Sequence, residues 1–156
     1  MNTFRARLHQ INPTAGQRRW IYSPYDQLTA TIGPMSEQPA AQTGLVLIES
    51  PAKAARRPYH QQKLALILAN QRHFALEQAA RGVQVRYLIH ENGYAAALTG
   101  CEMPLTMMEP AERELRVELA PLIASGRLRV VPHAGWLSSA AQFGSKGPPW
   151  RMDAFY

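Results

Sequence analysis

The sequence predicts an α/β domain of Rossmann-like type, three layers deep, with a five-stranded parallel sheet in the strand order 3-2-1-4-5. Short apolar runs alternate along the chain with segments of helical spacing. Glycine or proline punctuates the boundaries between them. The run Leu45–Glu49 is apolar on both faces, as a parallel strand covered by helices on both sides requires. At 156 residues, 46% of them hydrophobic, the chain can bury one core and has no room for a second domain of comparable size.

Residues 1–18 read as a flexible polar extension, and the folded domain as residues 19–156. The first 25 residues hold four arginines and no acid, a composition that an organellar presequence shares and a disordered extension explains more simply. Trp20–Ser23 is a short apolar strand, closed by Pro24, which cannot continue a central ladder. Pro34–Thr43 is a loop, and Leu45–Glu49 the second strand. From Tyr59 to Arg81 the spacing turns helical: Leu64, Ile67, Leu68, Phe74 and Ala75 share a face, and Gly82 ends it. Val83–Ile89 is the third strand. A short helical stretch at Tyr94–Leu98 leads to the fourth, Leu105–Met108. Glu109-Pro110 opens another helix with proline at its favoured first position. Pro121 is expected to break or kink that helix, and Gly126 to end it. Leu128–Val131 is the fifth strand, followed by one helical turn near Ser139–Phe143.

In a sheet of this order a ligand sits outside the carboxyl ends of the strands, where the order reverses beside strand one. The residues at those ends are Ser23 to Gln27, Glu49 with Ser50, and Glu109. No GxGxxG or GxxxxGK[ST] segment is present, so the site suits a planar, hydrogen-bonding ligand without phosphate. Asp26 has two readings, a turn residue or a ligand contact, and Gln27 beside it supplies both a donor and an acceptor. A carboxylate at the end of a buried strand is costly unless partnered, so Glu49 needs a ligand donor or a salt bridge to Lys53, Arg56 or Lys63. His60 and Lys63 lie one turn apart at the start of the long helix, on a face that can look toward the strand ends or lie at the surface. The candidate binding set is therefore Tyr25, Asp26, Gln27, Ile48, Glu49, Ser50, His60 and Lys63. Arg72-His73-Phe74 reads as structural, with Phe74 in the core, Arg72 paired with an acid and His73 at the surface.

Several classes of function find no support. No apolar run approaches the roughly 18 residues that cross a bilayer, which predicts a soluble protein without a membrane partner. Cys101 stands alone, which excludes an internal disulfide and a thiolate metal cage and fits a reducing cytoplasm. His90-Glu91 and His133 lack the spacing of a metal site. Without a nucleophile elbow or a Ser-His-Asp order, no residue reads as catalytic. The net charge of +6 comes from scattered arginines without a zinc, helix-turn-helix or aromatic-platform motif, and would add long-range attraction to DNA at most.

Several ordered pieces run together from Trp20 to Tyr156. They are Asp26-Gln27-Leu28, the strand ending Leu47-Ile48-Glu49, the helix with His60, Lys63 and Arg72-His73-Phe74-Ala75, the Glu109-Pro110 turn, Trp136-Leu137-Ser138-Ser139 with Phe143, and the closing Arg151-Met152-Asp153-Ala154-Phe155-Tyr156. In this order they resemble the amino-terminal domain of bacterial photolyase-related proteins, the iron–sulfur, (6-4) photolyase-like branch of the cryptochrome and photolyase family. The resemblance implies an antenna domain that binds 6,7-dimethyl-8-ribityllumazine as a light-harvesting chromophore. In the full-length family, absorbed energy passes to reduced FAD, which donates an electron to a pyrimidine photoproduct in DNA. The resemblance places FAD, an iron–sulfur cluster and the main DNA contacts in a helical domain beyond the last motif, absent from these 156 residues. Lyase activity would then belong to the full-length protein and not to this domain alone. The alternative from another class is a stand-alone Rossmann-like protein that binds a small molecule or nucleotide. Two positions depart from the family pattern: Tyr25 stands where glycine usually precedes Asp-Gln, and Gln71 where many relatives carry methionine before Arg-His-Phe.

Overall fold

In the computed structural model the described residues are 3–56, 58–101, 103–138 and 140–144. Five strands, β1 (Arg19–Tyr22), β2 (Thr43–Glu49), β3 (Gln84–Ile89), β4 (Leu105–Met108) and β5 (Leu128–Val131), form one sheet in the order β3-β2-β1-β4-β5. Every pairing is parallel. Among the described residues six helices accompany it: α1 (Thr3–Ile11), α2 (Pro51–Ala55), α3 (Gln61–Ala80), α4 (Tyr94–Thr99), α5 (Arg113–Ala124) and α6 (Ala140–Gly144).

All seven residues of β2 are buried, as its two-faced apolar run predicts. Successive side chains alternate between the faces. Leu45 and Leu47 pack with Ile21, Val85, Phe74 and Ala75 under α3, while Val46 and Ile48 pack with Tyr22, Leu98, Leu115 and Leu119 under α4 and α5. The sheet is thus the middle of three layers, with a separate apolar cluster on each side. Gly82 and Gly126, at φ of 94° and 74°, stand just beyond α3 and α5 in the left-handed conformation that glycine adopts without steric cost.

The amino-terminal segment differs from the flexible extension expected over residues 1–18. Helix α1 buries Leu8, and the Phe4 ring meets Tyr87 edge-on with centroids 4.7 Å apart. Just after the helix, Asn12 donates from Nδ2 to the Val85 carbonyl at 2.8 Å and accepts from the Val85 N–H at 2.7 Å. Strand β3 is an edge of the sheet, and this carboxamide stands in for the strand that would otherwise pair there. Arg18 closes the segment by donating to the carbonyls of Ala41, Gly82 and Thr43 at 2.8, 3.1 and 3.3 Å. The helix has a signal in the spacing of Phe4, Leu8 and Ile11, which the arginine-rich composition around them obscures. Asn12→Ala removes both bonds to the strand edge at once. It is expected to cost about 1–2 kcal/mol in urea denaturation, and an unchanged midpoint would mean that water replaces the carboxamide at no cost.

Other boundaries shift for local reasons. Helix α5 starts at Arg113 with Glu112 as its N-cap residue, not at Glu109-Pro110, and the Pro110 carbonyl instead accepts from Arg116 at 2.8 Å. It also runs through Pro121 without ending there. Pro121 lies in the last turn and, like Val117 one turn before it, is exposed, so water can serve the Val117 carbonyl that proline leaves without an N–H. The expected loop at 34–43 holds two 3-10 turns, Gly33–Ser36 and Ala40–Gln42, before β2 starts at Thr43. Helix α6 covers the described part of the turn expected near 139–143, and the closing motif from Arg151 lies outside the described residues.

Candidate functional site

The site arises from a mismatch of lengths. Helix α3 has 20 residues and spans about 30 Å, whereas the seven residues of β2 span about 23 Å. The carboxyl-terminal half of α3 lies on the sheet and buries Gln71, Phe74, Ala75, Gln78 and Ala79. Its first half overhangs the strand ends, so Leu64, Ile67 and Leu68 are only half-buried and face a cavity of about 340 Å³. The end of β2 forms the floor through Ile48, Glu49 and Ser50. Pro51, Lys53 and Ala54 of α2 form the opposite wall, and Tyr25, Tyr59, Lys63 and Tyr94 complete the lining. Helix α2 is set by Ser50, whose side chain accepts from the Lys53 N–H at 3.2 Å, followed by proline at the first helical position.

Chain geometry also determines how the cavity floor is satisfied. The last β1 rung is the Ser23 N–H donating to the Val46 carbonyl at 3.2 Å, after which the chain leaves the sheet in the turn at Tyr25-Asp26. The next carbonyl on that side of β2 belongs to Ile48, and the Gln71 Nε2 donates to it at 2.9 Å.

Alternation along β2 puts Glu49 on the same face as Leu45 and Leu47, beneath α3. Arg72 grips both carboxylate oxygens, from Nε at 2.6 Å and Nη2 at 3.0 Å, and the Tyr87 hydroxyl donates to Oε1. Desolvation works to raise the Glu49 carboxyl, but the hydrogen bonds from Arg72 and Tyr87 outweigh it and hold the group below the ordinary carboxylate range. The partner of Glu49 is thus Arg72, not the Lys53, Arg56 or Lys63 considered from the sequence, and Glu49 is the acid expected for Arg72.

Lys53 is buried and pairs with Glu112 and, at 3.2 Å, with Glu114. The Tyr25 hydroxyl donates to Glu112 Oε2 at 3.2 Å, and Arg56 reaches Glu118 at 3.4 Å. Together these contacts tie α2 and the turn after β1 to α5. Desolvation, then the charge of Glu112, pushes the Tyr25 hydroxyl up to about 12, so it is a donor and not an anion at neutral pH.

Of the candidate residues, Tyr25, Ile48, Glu49, Ser50 and Lys63 border the cavity, whereas Asp26, Gln27 and His60 do not. Asp26 is exposed in the turn after β1. Gln27 is buried and spends its side-chain Nε2 on the Glu109 carbonyl at 2.9 Å, while its backbone carbonyl accepts from Ser23 Oγ at 2.8 Å. His60 is the N-cap of α3 and accepts from the Gln62 N–H at 3.3 Å. Sequence reasoning left Lys53, Tyr59, Gln71 and Tyr94 out of the set. The amide of Gln71 next to an apolar helix face was the one available signal.

Among the described residues, no helix is long and apolar enough to cross a membrane, and no group of three or more His, Cys, Asp or Glu side chains could hold a metal ion. A parallel Rossmann-like sheet with a ligand-sized, largely apolar cavity over the carboxyl end of β2, next to the central strand, defines the class of this domain. Residues 19–156 match the profile of the deoxyribodipyrimidine photo-lyase-related proteins, and the chain belongs to that family. The match begins at the first residue of β1, which leaves α1 outside it. Comparison with curated proteins finds no match.

Proposed function

We propose that this domain is the antenna of a photolyase-related protein of the (6-4)-like, iron–sulfur branch, and that it holds a ribityl-lumazine in the cavity at the end of β2. The observation that carries the reading is the cavity itself: about 340 Å³, walled on one side by Leu64, Ile67 and Leu68 and edged by a few fixed polar groups. The apolar wall suits the flat face of a bicyclic ring. Tyr25, Tyr59 and Tyr94 add aromatic surface with a polar tip. The hydroxyl of Ser50 and the remaining acceptor capacity of Glu49 suit ribityl hydroxyls.

The lumazine supplies light absorption when bound, and the residues of this chain bind it, orient it and exclude water from one face. The nucleotide alternative is less well supported, because the chain has no glycine-rich phosphate loop and the cavity wall is hydrocarbon. Light-driven repair or blue-light sensing, contact with DNA, FAD and the iron–sulfur cluster belong in this reading to further parts of a full-length cytoplasmic protein. Fluorescence titration of the purified domain with 6,7-dimethyl-8-ribityllumazine is expected to saturate at one equivalent, with a dissociation constant on the order of micromolar. Failure to bind at concentrations about a hundredfold higher would overturn the proposal.

A further inference from the structure

Gln71 is 2% exposed and borders the cavity, one turn along α3 from Ile67 and Leu68. A carboxamide has two N–H donors and one carbonyl acceptor. One N–H is used on the Ile48 carbonyl at 2.9 Å, the only hydrogen bond the Gln71 side chain makes among the described residues. That bond also fixes the orientation of the amide, because a flipped carboxamide would set Oε1 against the Ile48 oxygen. The second N–H and Oε1 remain as an adjacent donor and acceptor in a wall that is otherwise hydrocarbon.

We infer that Gln71 is the specificity-determining residue of the cavity and selects ligands that present an amide or imide edge, a ring C=O beside a ring N–H. The inference deepens the chromophore reading and rests on it. A carbonyl oxygen of such an edge accepts from Nε2 while its N–H donates to Oε1. A pteridine-dione ring carries that edge, and so do an isoalloxazine and a uracil. The ring plane then lies along Leu64, Ile67 and Leu68, and substituents on the opposite edge run toward the rim at Tyr59 and the exposed Lys63. Because the amide sits in an apolar wall, a ligand without the complementary edge leaves buried polar groups unpaired. That cost makes hydrogen-bonding sites far more selective than apolar ones.

The test uses two probes, 6,7-dimethyl-8-ribityllumazine and its N3-methyl analogue, in which the imide N–H is blocked. The wild-type domain is expected to bind the parent compound at least about tenfold more tightly. In Gln71→Met, close in volume but without the amide, the two affinities are expected to agree within about twofold. A thermal melt reports the separate effect of leaving the Ile48 carbonyl without its donor. The wild-type preference can be read even where the variant does not fold. Equal affinity of the wild type for both probes, or a preference kept in Gln71→Met, overturns the inference and leaves the chromophore reading standing. No binding of either probe overturns both.

Discussion

Arg72→Met is expected to lower stability by about 3 kcal/mol at pH 7 and by much less at pH 3. The Glu49 side chain is 7% exposed, and Arg72 supplies two of its three hydrogen bonds. Methionine keeps a hydrophobic stem beside Phe4, over whose ring the guanidinium now lies at 5.7 Å, but leaves a buried carboxylate with only the Tyr87 hydroxyl. Because the Arg72 side chain is 38% exposed, solvent screens part of the attraction, which puts the loss at the low end of the range for broken buried pairs. The pH dependence follows from the depressed Glu49 carboxyl. Its contribution is fully present above the unfolded carboxylate value of about 4.3 and disappears as pH falls through the lower folded value. In the variant, burial without the guanidinium favours the neutral acid, so protonation relieves the cost and the two proteins converge in acid. Urea unfolding at both pH values measures this. An equal loss at both would mean that packing, and not charge, is what Arg72 contributes.

Ala54→Trp is expected to abolish binding of the ribityl-lumazine, weakening it by at least about a hundredfold, or about 2.7 kcal/mol. Ala54 is half-buried on α2 and borders the cavity on the side of the short helix, facing the apolar wall of α3. An indole projecting from this position takes up much of the roughly 340 Å³ that the ring needs. It buries its own apolar surface against Leu64 and Leu68, so the melting temperature is expected to hold or rise. Titration and melt together separate the outcomes. Retained affinity would place the ligand outside this cavity. A lower melting temperature with lost affinity would point to displacement of α2 from the ion pairs of Lys53 and Arg56.

Much of this arrangement is legible in the residues. The unbroken apolar run at Leu45–Ile48 can be stable only between two helical layers, and β2 is the fully buried centre of the α3 side of the sheet. Alternation then assigns Glu49 to the α3 face, and the Arg72 on that helix needs an acid. Both facts are properties of local sequence, although the pairing of the two residues is not. Asp26, Gln27 and His60 mark the opposite case. Each has the chemistry of a ligand contact and lies near a strand end, but Gln27 and His60 serve nearby backbone groups and Asp26 lies in an exposed turn.

By itself the sequence determined the strands, their parallel order, the helices α3, α4 and α5 and the end of the sheet at which the cavity opens, because these follow from period, length and chirality along the chain. It also carried the family likeness, now supported by the match over residues 19–156. Tertiary structure alone decided that Asn12, just after α1, takes the β3 edge, that Arg72 holds Glu49, and that Gln71 takes the carbonyl left open where β1 turns away. The cavity depends on how far α3 reaches past β2 once both are docked. No local pattern encodes that overhang, because it is a difference between two lengths measured in three dimensions and not a property of either segment.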